Sequence, residues 1–159
     1  MGKSSNTSSS GEKTVSVNKK ARFEYQIEVT YEAGIVLTGT EVKAIREGRI
    51  NLKEGYCKFR NGELWLVDSN ISPYTYGNRN NHEPTRPRKL LMHKRELIRL
   101  AQKINEKGYA LIPMRIYFKQ GRAKLAVGLG KGKKLHDKRQ DQKAREDKRE
   151  MERAMKQRY

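Results

Sequence analysis

The sequence predicts a mainly β, α+β fold: a small antiparallel barrel with flanking helices and a basic C-terminal tail that is disordered when free. Three observations carry this. Short stretches alternate between apolar and polar residues with period two, one pair of them flanks an Asn-Gly turn, and the strand–helix–strand rhythm of a parallel sheet is missing. A chain of 159 residues also suffices for one compact core and is short for two ordinary domains.

From Arg22 to Tyr31 the odd positions read Phe23, Tyr25, Ile27, Val29, Tyr31 and the even ones are polar, which predicts a strand with one buried face. Ala33-Gly34 interrupts before the apolar run Ile35 to Leu37. Thr40 is then expected to cap a two-turn helix that buries Val42 and Ile45 and stops at Gly48. Tyr56 to Arg60 and Glu63 to Val67 flank Asn61-Gly62, a turn in which both central residues need positive φ. That register sets Phe59 against Leu64 and Cys57 against Leu66 on one face, Lys58 against Trp65 and Tyr56 against Val67 on the other, and Arg60 against Glu63. A second helix is expected over His93 to Lys107, with Leu97, Ala101 and Ile104 at helical spacing and Gly108 as its stop. Two last strands, Tyr109 to Phe118 and Ala123 to Leu129, are joined by a turn containing Gly121. The set fits a barrel of the oligonucleotide-binding (OB) type best.

Charge divides the chain into three. The whole carries a formal net charge of +18 and a pI near 10.1, an excess that a polyanionic partner would neutralise. Residues 1–14 hold 2 basic and 1 acidic side chains and read as a disordered lead; residues 15–130 hold 22 and 11 and read as the RNA-binding domain; residues 131–159 hold 12 and 6 with few apolar groups and read as the tail. A membrane partner would need a basic helix with a bulky apolar face, a lipidation signal or a long apolar span, and none stands in the sequence. The Ser-rich start lacks an apolar leader segment, and Cys57 stands alone, which excludes an internal disulfide. A reducing cytoplasm is expected.

Candidate contacts follow from charge in context. Asn70 to Lys89 has no hydrophobic period, three prolines and the polar run Gly77 to His82. Its Arg86, Arg88 and Lys89 are set on a proline-stiffened backbone suited to phosphate contact, against the alternative of a plain connection. Lys19, Lys20 and Arg22 form a second cluster and Lys119, Arg122 and Lys124 a third. A solvated face is the ordinary fate of each alone, and a barrel would bring them onto common surfaces. Trp65 and Tyr76 can stack on bases but fit a core equally well. His82, His93 and His136 lack a second ligand at metal spacing, so no metal site is expected. Gly128 to Lys134 is glycine-rich without the spacing of a phosphate-binding loop. Beyond Leu135, opposite charges recur at i,i+4, as in Asp141 with Arg145 and Lys148 with Glu152. Such pairs contribute about 0.2–0.5 kcal/mol each, too little to hold a helix with no apolar stripe. The tail is therefore expected to be unfolded alone and helical in an RNA-lined groove, with a solubilising role as the alternative.

Four motifs now fall in register: Asn18-Lys19-Lys20-Ala21-Arg22, Glu32 through Lys43, Pro84 through Leu91, and Gly130 through Arg139. In that order, over about residues 18–139, they closely resemble the SmpB family, the SsrA-binding (tmRNA-binding) proteins of bacteria. The resemblance implies an OB-type barrel that grips the tRNA-like domain of transfer-messenger RNA and brings it to 70S ribosomes stalled on messages without a stop codon. It implies contact with 16S rRNA and, through the charged tmRNA complex, with elongation factor Tu. Trans-translation then tags the nascent chain and releases the ribosome. A monomer with no cofactor and no catalysis of its own is implied; an RNA-processing enzyme would need paired carboxylates or histidines, and a ribosomal structural protein would sit on every ribosome. Glu32 resembles the acidic residue required for RNA binding. Asn18, Arg22, Leu91 and Lys124 resemble its neighbourhood, and Gly132, Lys133 and Lys134 the cationic junction. His136, Asp137, Lys138 and Arg139 resemble the tail motif that enters the decoding region and message channel. Phe23 stands where the family usually has His, and Gly130 replaces a common Ala, a change expected only to loosen the hinge.

Overall fold

The computed structural model describes residues 11–77, 80–106 and 108–157. Residues 1–10 of the expected disordered lead, and residues 78 and 79 of the polar loop, lie outside the described residues. In order the elements are β1 (Glu12–Val17), α1 (Lys19–Glu24), β2 (Tyr25–Ile35), α2 (Gly39–Arg46), β3 (Ile50–Asn51), β4 (Tyr56–Arg60), β5 (Glu63–Val67), β6 (Asn70–Ile71), β7 (Arg88–Leu91), α3 (Lys94–Ile104), β8 (Tyr109–Lys119), β9 (Arg122–Gly132) and α4 (Leu135–Gln157). All strand pairs are antiparallel, and β8, β9, β2, β7, β5 and β4 close into a ring in that order. β1 extends the edge of β8 beyond the point where β4 meets it at Leu111. Inside lies one apolar cluster, to which α2 contributes Ala44 and Ile45 and α3 contributes Leu100.

The β4–β5 hairpin has all five cross-strand pairs of the expected register. Asn61 and Gly62 sit at φ 53° and 76°, as a two-residue turn of this kind requires. Cys57 is a buried core residue, and burial pushes its thiol up, away from reactivity. The β8–β9 hairpin turns the same way through Gln120 and Gly121, both at positive φ.

Other expectations are corrected. Glu12, Lys13 and Thr14 belong to β1 rather than to a disordered lead, because the outer edge of β8 supplies their backbone partners. Arg22 to Glu24 are helical, and the strand begins at Tyr25. Within the strand, a bulge between Ile27 and Val29 inserts one residue and reverses which face the odd positions occupy. Tyr25 and Ile27 consequently pack outside the ring against Ala21, Ile112, Met114, Tyr117 and Ala126, while Tyr31, Ala33 and Ile35 point into the main core. This outer cluster is what seats α1. The cap of α2 is Thr38, two residues before the expected Thr40, in a capping box with Glu41. Gly130 is no loosened hinge: a Cβ there would run into the Gln26 carbonyl beside the bulge.

The tail departs most from expectation. It forms one 23-residue helix, α4, and strand β9 carries the body through Gly132, past the expected boundary at 130. Tertiary contacts supply what the i,i+4 pairs alone lack. The Lys133 backbone N–H donates to the Glu24 carbonyl at 2.8 Å, its ammonium donates to the Arg22 carbonyl at 2.9 Å and pairs with Asp141, and the Arg145 guanidinium lies 5.8 Å from the centre of the Phe23 ring.

Candidate nucleic-acid interface

The register of the ring brings distant residues onto one outer surface. Gly34 on β2 pairs with Leu91 on β7 and with Lys124 on β9. Lys124 pairs with Tyr117 on β8, which pairs with Thr14 on β1. Side chains two residues apart share a face of a strand, so Glu32 lies beside this row, with Ala126 and Arg115 as its lateral neighbours. Gly34 has no side chain to obstruct Leu91, whose Cβ lies 3.3 Å from where one would begin. Leu91 is accordingly left 52% exposed, an apolar tip among cations.

Glu32 is the anion of this surface. Its Oε2 accepts from the Tyr117 hydroxyl at 2.5 Å and from the Lys119 ammonium at 3.4 Å. The Tyr117 hydrogen bond, helped by Lys119 and the charge of Lys124, holds the Glu32 carboxyl below the usual carboxylate range. Burial and the bond to Glu32 push the Tyr117 hydroxyl up. The Arg115 guanidinium stacks 4.0 Å from the centre of the Tyr117 ring and donates to Glu12 and Thr14 at 3.1 Å each. Beside the patch, α1 presents exposed Lys19 and Arg22, and a cleft of about 400 Å³ lined by Arg22, Tyr25, Gln26, Ile27, Thr30, Met114 and Lys133 opens next to it.

Of the expected contact residues, Lys19, Arg22, Glu32, Leu91, Lys124 and Lys134 keep surface for a partner. Lys89 stays on the outer face of β7, paired with Glu63 at 3.0 Å. Lys133 is largely committed to splicing β9, α1 and α4 together. His136, Lys138 and Arg139 sit on α4 with the Asp137 backbone, and His136 and Arg139 are exposed.

Two residues are corrected. Asn18 is 5% exposed, and its side chain is consumed in capping α1 through the Ala21 N–H and in donating to the Leu52 and Pro113 carbonyls. Arg88 is fully buried: its Nε donates to Glu41 at 2.5 Å and its other nitrogens to the Ser69 and Pro84 carbonyls. Neither is free to touch a phosphate. Arg86 is in part committed as well, donating to Glu41 at 2.5 Å. Burial would raise the Glu41 carboxyl, but hydrogen bonds from Arg86, the Thr38 backbone and Arg88 hold it below its ordinary value. The prolines of residues 72–87 therefore carry a polar clasp rather than a phosphate comb. His82 completes it, bridging the Thr40 hydroxyl at 2.9 Å and the Ile71 carbonyl at 2.8 Å.

Tyr117, Arg115 and Glu12 were missed by sequence reasoning. Tyr117 lies in an apolar strand and looks like core; only the 85-residue separation closed by its bond to Glu32 gives it away.

The comparisons with known proteins agree with one another. The model of the SmpB protein family matches residues 15–157. The SsrA-binding protein of Desulforudis audaxviator is 62% identical over 143 residues, 90% of this chain and 94% of that protein. The SsrA-binding protein of Thermosynechococcus vestitus is 56% identical over 147 residues, 92% and 97% of the two. A chain in the solved structure "tmRNA-SmpB: a journey to the center of the bacterial ribosome" is similar with a TM-score of 0.64 and 47% identity, over 76% of this chain and 85% of that one. On the ring of strands, the Glu32 surface and these matches over nearly the whole described chain, the protein belongs to the SmpB family.

Proposed function

We propose that this chain binds the tRNA-like domain of tmRNA and delivers it to stalled 70S ribosomes for trans-translation, as an adaptor with no chemistry or cofactor of its own. The observation that carries this reading is the row Leu91, Gly34, Lys124 with Glu32 beside it: an apolar tip, a carboxylate and cations on one outer surface. Phosphates meet Lys124, Lys119, Lys19 and Arg22, which fix position, while Glu32 and Leu91 meet groups that distinguish one RNA from another. Lys89 and Lys134 extend the cationic rim. The tail, residues 133–159, works apart from this surface. His136, Asp137, Lys138 and Arg139 enter the decoding region and the vacant message channel, against 16S rRNA, and elongation factor Tu joins through the charged tmRNA. The chain acts as a monomer in the cytoplasm; among the described residues no helix is long and apolar enough to cross a membrane.

The test is competition binding of tmRNA against ordinary tRNA across ionic strength, with Glu32→Ala as the variant. Preference for tmRNA that Glu32→Ala weakens supports the reading; equal affinity for both RNAs removes it. A chain ending at Leu135 is expected to keep RNA binding and lose tagging in a trans-translation assay. Tagging by that truncation would refute the separate role of the tail.

A further inference from the structure

A carboxylate repels phosphate, and it only accepts hydrogen bonds. Whatever Glu32 meets in an RNA must therefore donate: a base N–H or a ribose hydroxyl. Both contacts that Glu32 makes, from Tyr117 and Lys119, fall on Oε2 and occupy its two lone pairs, which leaves both lone pairs of Oε1 for an incoming donor pair. The carboxylate is also held in place. Tyr117 is 2% exposed, its ring packed with Ala21, Ile112, Met114 and Ala126 on one side and stacked by Arg115 at 4.0 Å. Arg115 is in turn fixed by Glu12 and Thr14 of β1. A group with its rotamer locked by such a chain discriminates between partners better than a free surface carboxylate, because less ordering is left to the moment of binding.

Resting on the reading that Glu32 contacts RNA, we propose that Tyr117 is a positioning residue that presents the Glu32 carboxylate to the N1–H and N2–H edge of an unpaired guanine in the tRNA-like domain. Guanine alone among the four bases carries two adjacent donors on that edge, which converge on the two open lone pairs of Oε1. Adenine, cytosine and uracil each place an acceptor beside their single donor group, which a carboxylate repels. Lys119 and Lys124 flank the site and neutralise the phosphates of the same nucleotide.

The experiment measures binding of the full chain, Glu32→Ala, Tyr117→Phe and the double variant to tRNA-like-domain RNA. Each unpaired guanine is replaced singly by inosine, which lacks the N2 amino group, and in a parallel series by its 2′-deoxy form. Glu32→Ala is expected to weaken binding, Tyr117→Phe to weaken it about tenfold, and the double variant to bind no worse than Glu32→Ala. One inosine position is expected to weaken the wild-type chain about tenfold and leave Glu32→Ala unaffected. If Glu32→Ala binds normally, the underlying reading of Glu32 fails. If it binds weakly but no inosine matters, or a 2′-deoxy substitution matters in its place, the guanine contact is overturned. Wild-type affinity of Tyr117→Phe overturns the positioning role. Should that variant not fold, ¹³C titration of Glu32 in the wild-type chain replaces it: a carboxyl that titrates at or above its ordinary value overturns the role.

Discussion

Replacing Glu41 by Gln tests the clasp that fixes residues 72–87 on the body. Glu41 is fully buried; Oε1 accepts from the Thr38 N–H at 2.9 Å and from Arg86 at 2.5 Å, and Oε2 accepts from Arg88 Nε at 2.5 Å. Gln keeps the volume and one acceptor oxygen but sets an amide donor against Arg88 or Arg86, leaving the fully buried Arg88 cation uncompensated. Removing one member of a buried pair costs about 3–5 kcal/mol. Carbonyls of Ser69 and Pro84 still accept from Arg88, so the lower end applies, about 3 kcal/mol. For a domain of this size each kcal/mol moves Tm by about 2–4 °C, which predicts a loss of about 6–12 °C in a thermal melt followed by circular dichroism. Arg88→Met alone is expected to cost less, because Arg86 still pairs with Glu41, and Glu41→Leu with Arg88→Met together to recover most of the loss. Well below the melting temperature, RNA affinity and its salt dependence stay as in the wild type. A Tm change under about 2 °C for Glu41→Gln, or Arg88→Met that spares Tm and flattens the salt dependence of RNA binding, refutes the account and returns Arg88 to the phosphate contacts.

Asp141→Ala removes the partner of Lys133, and Phe23→Ala the ring beneath Arg145; either is expected to raise amide hydrogen exchange across residues 135–150 of the free chain while leaving β8 and β9 protected, and unchanged exchange refutes the docking of α4 on α1. Gly130→Ala is expected to destabilise the body by about 1–3 kcal/mol in urea unfolding, since the Gln26 carbonyl is backbone and yields little; a neutral effect contradicts the tight approach at the bulge. The folded-state value of Glu32 is lowered by Tyr117, so the stability this group contributes is fully present above its ordinary value, about 4.5, and lost as pH falls through the lowered one. Stability of wild type relative to Glu32→Gln is therefore expected to be constant from pH 8 to about pH 5 and to narrow only below that, measured by denaturant unfolding; narrowing that begins above pH 6 contradicts the sign of the shift.

Much of this protein was legible locally. The β4–β5 hairpin needed only Asn61-Gly62 and period-two alternation, because turn geometry and strand register are set by neighbouring residues. The family motifs singled out Glu32, Leu91 and Lys124 together before any register was available to bring them onto one surface. The strand from Arg22 was misread because period-two alternation stays unbroken through a bulge, while the faces it labels exchange.

What the sequence alone determined was the two hairpins, β4–β5 and β8–β9, and the cationic balance, since these depend on residue type and short-range spacing. Tertiary structure decided which polar groups reach solvent. Arg88 and Lys89 are adjacent in the chain, yet one is sealed under α2 and the other faces outward, because that outcome depends on what packs over each face of β7. The same holds for Glu32, whose orientation comes from a tyrosine on β8, brought beside it on the outer face by the pairing of β2 and β8 with β9, and for α4, whose helix is held by Lys133 and Phe23 rather than by its own charge pairs.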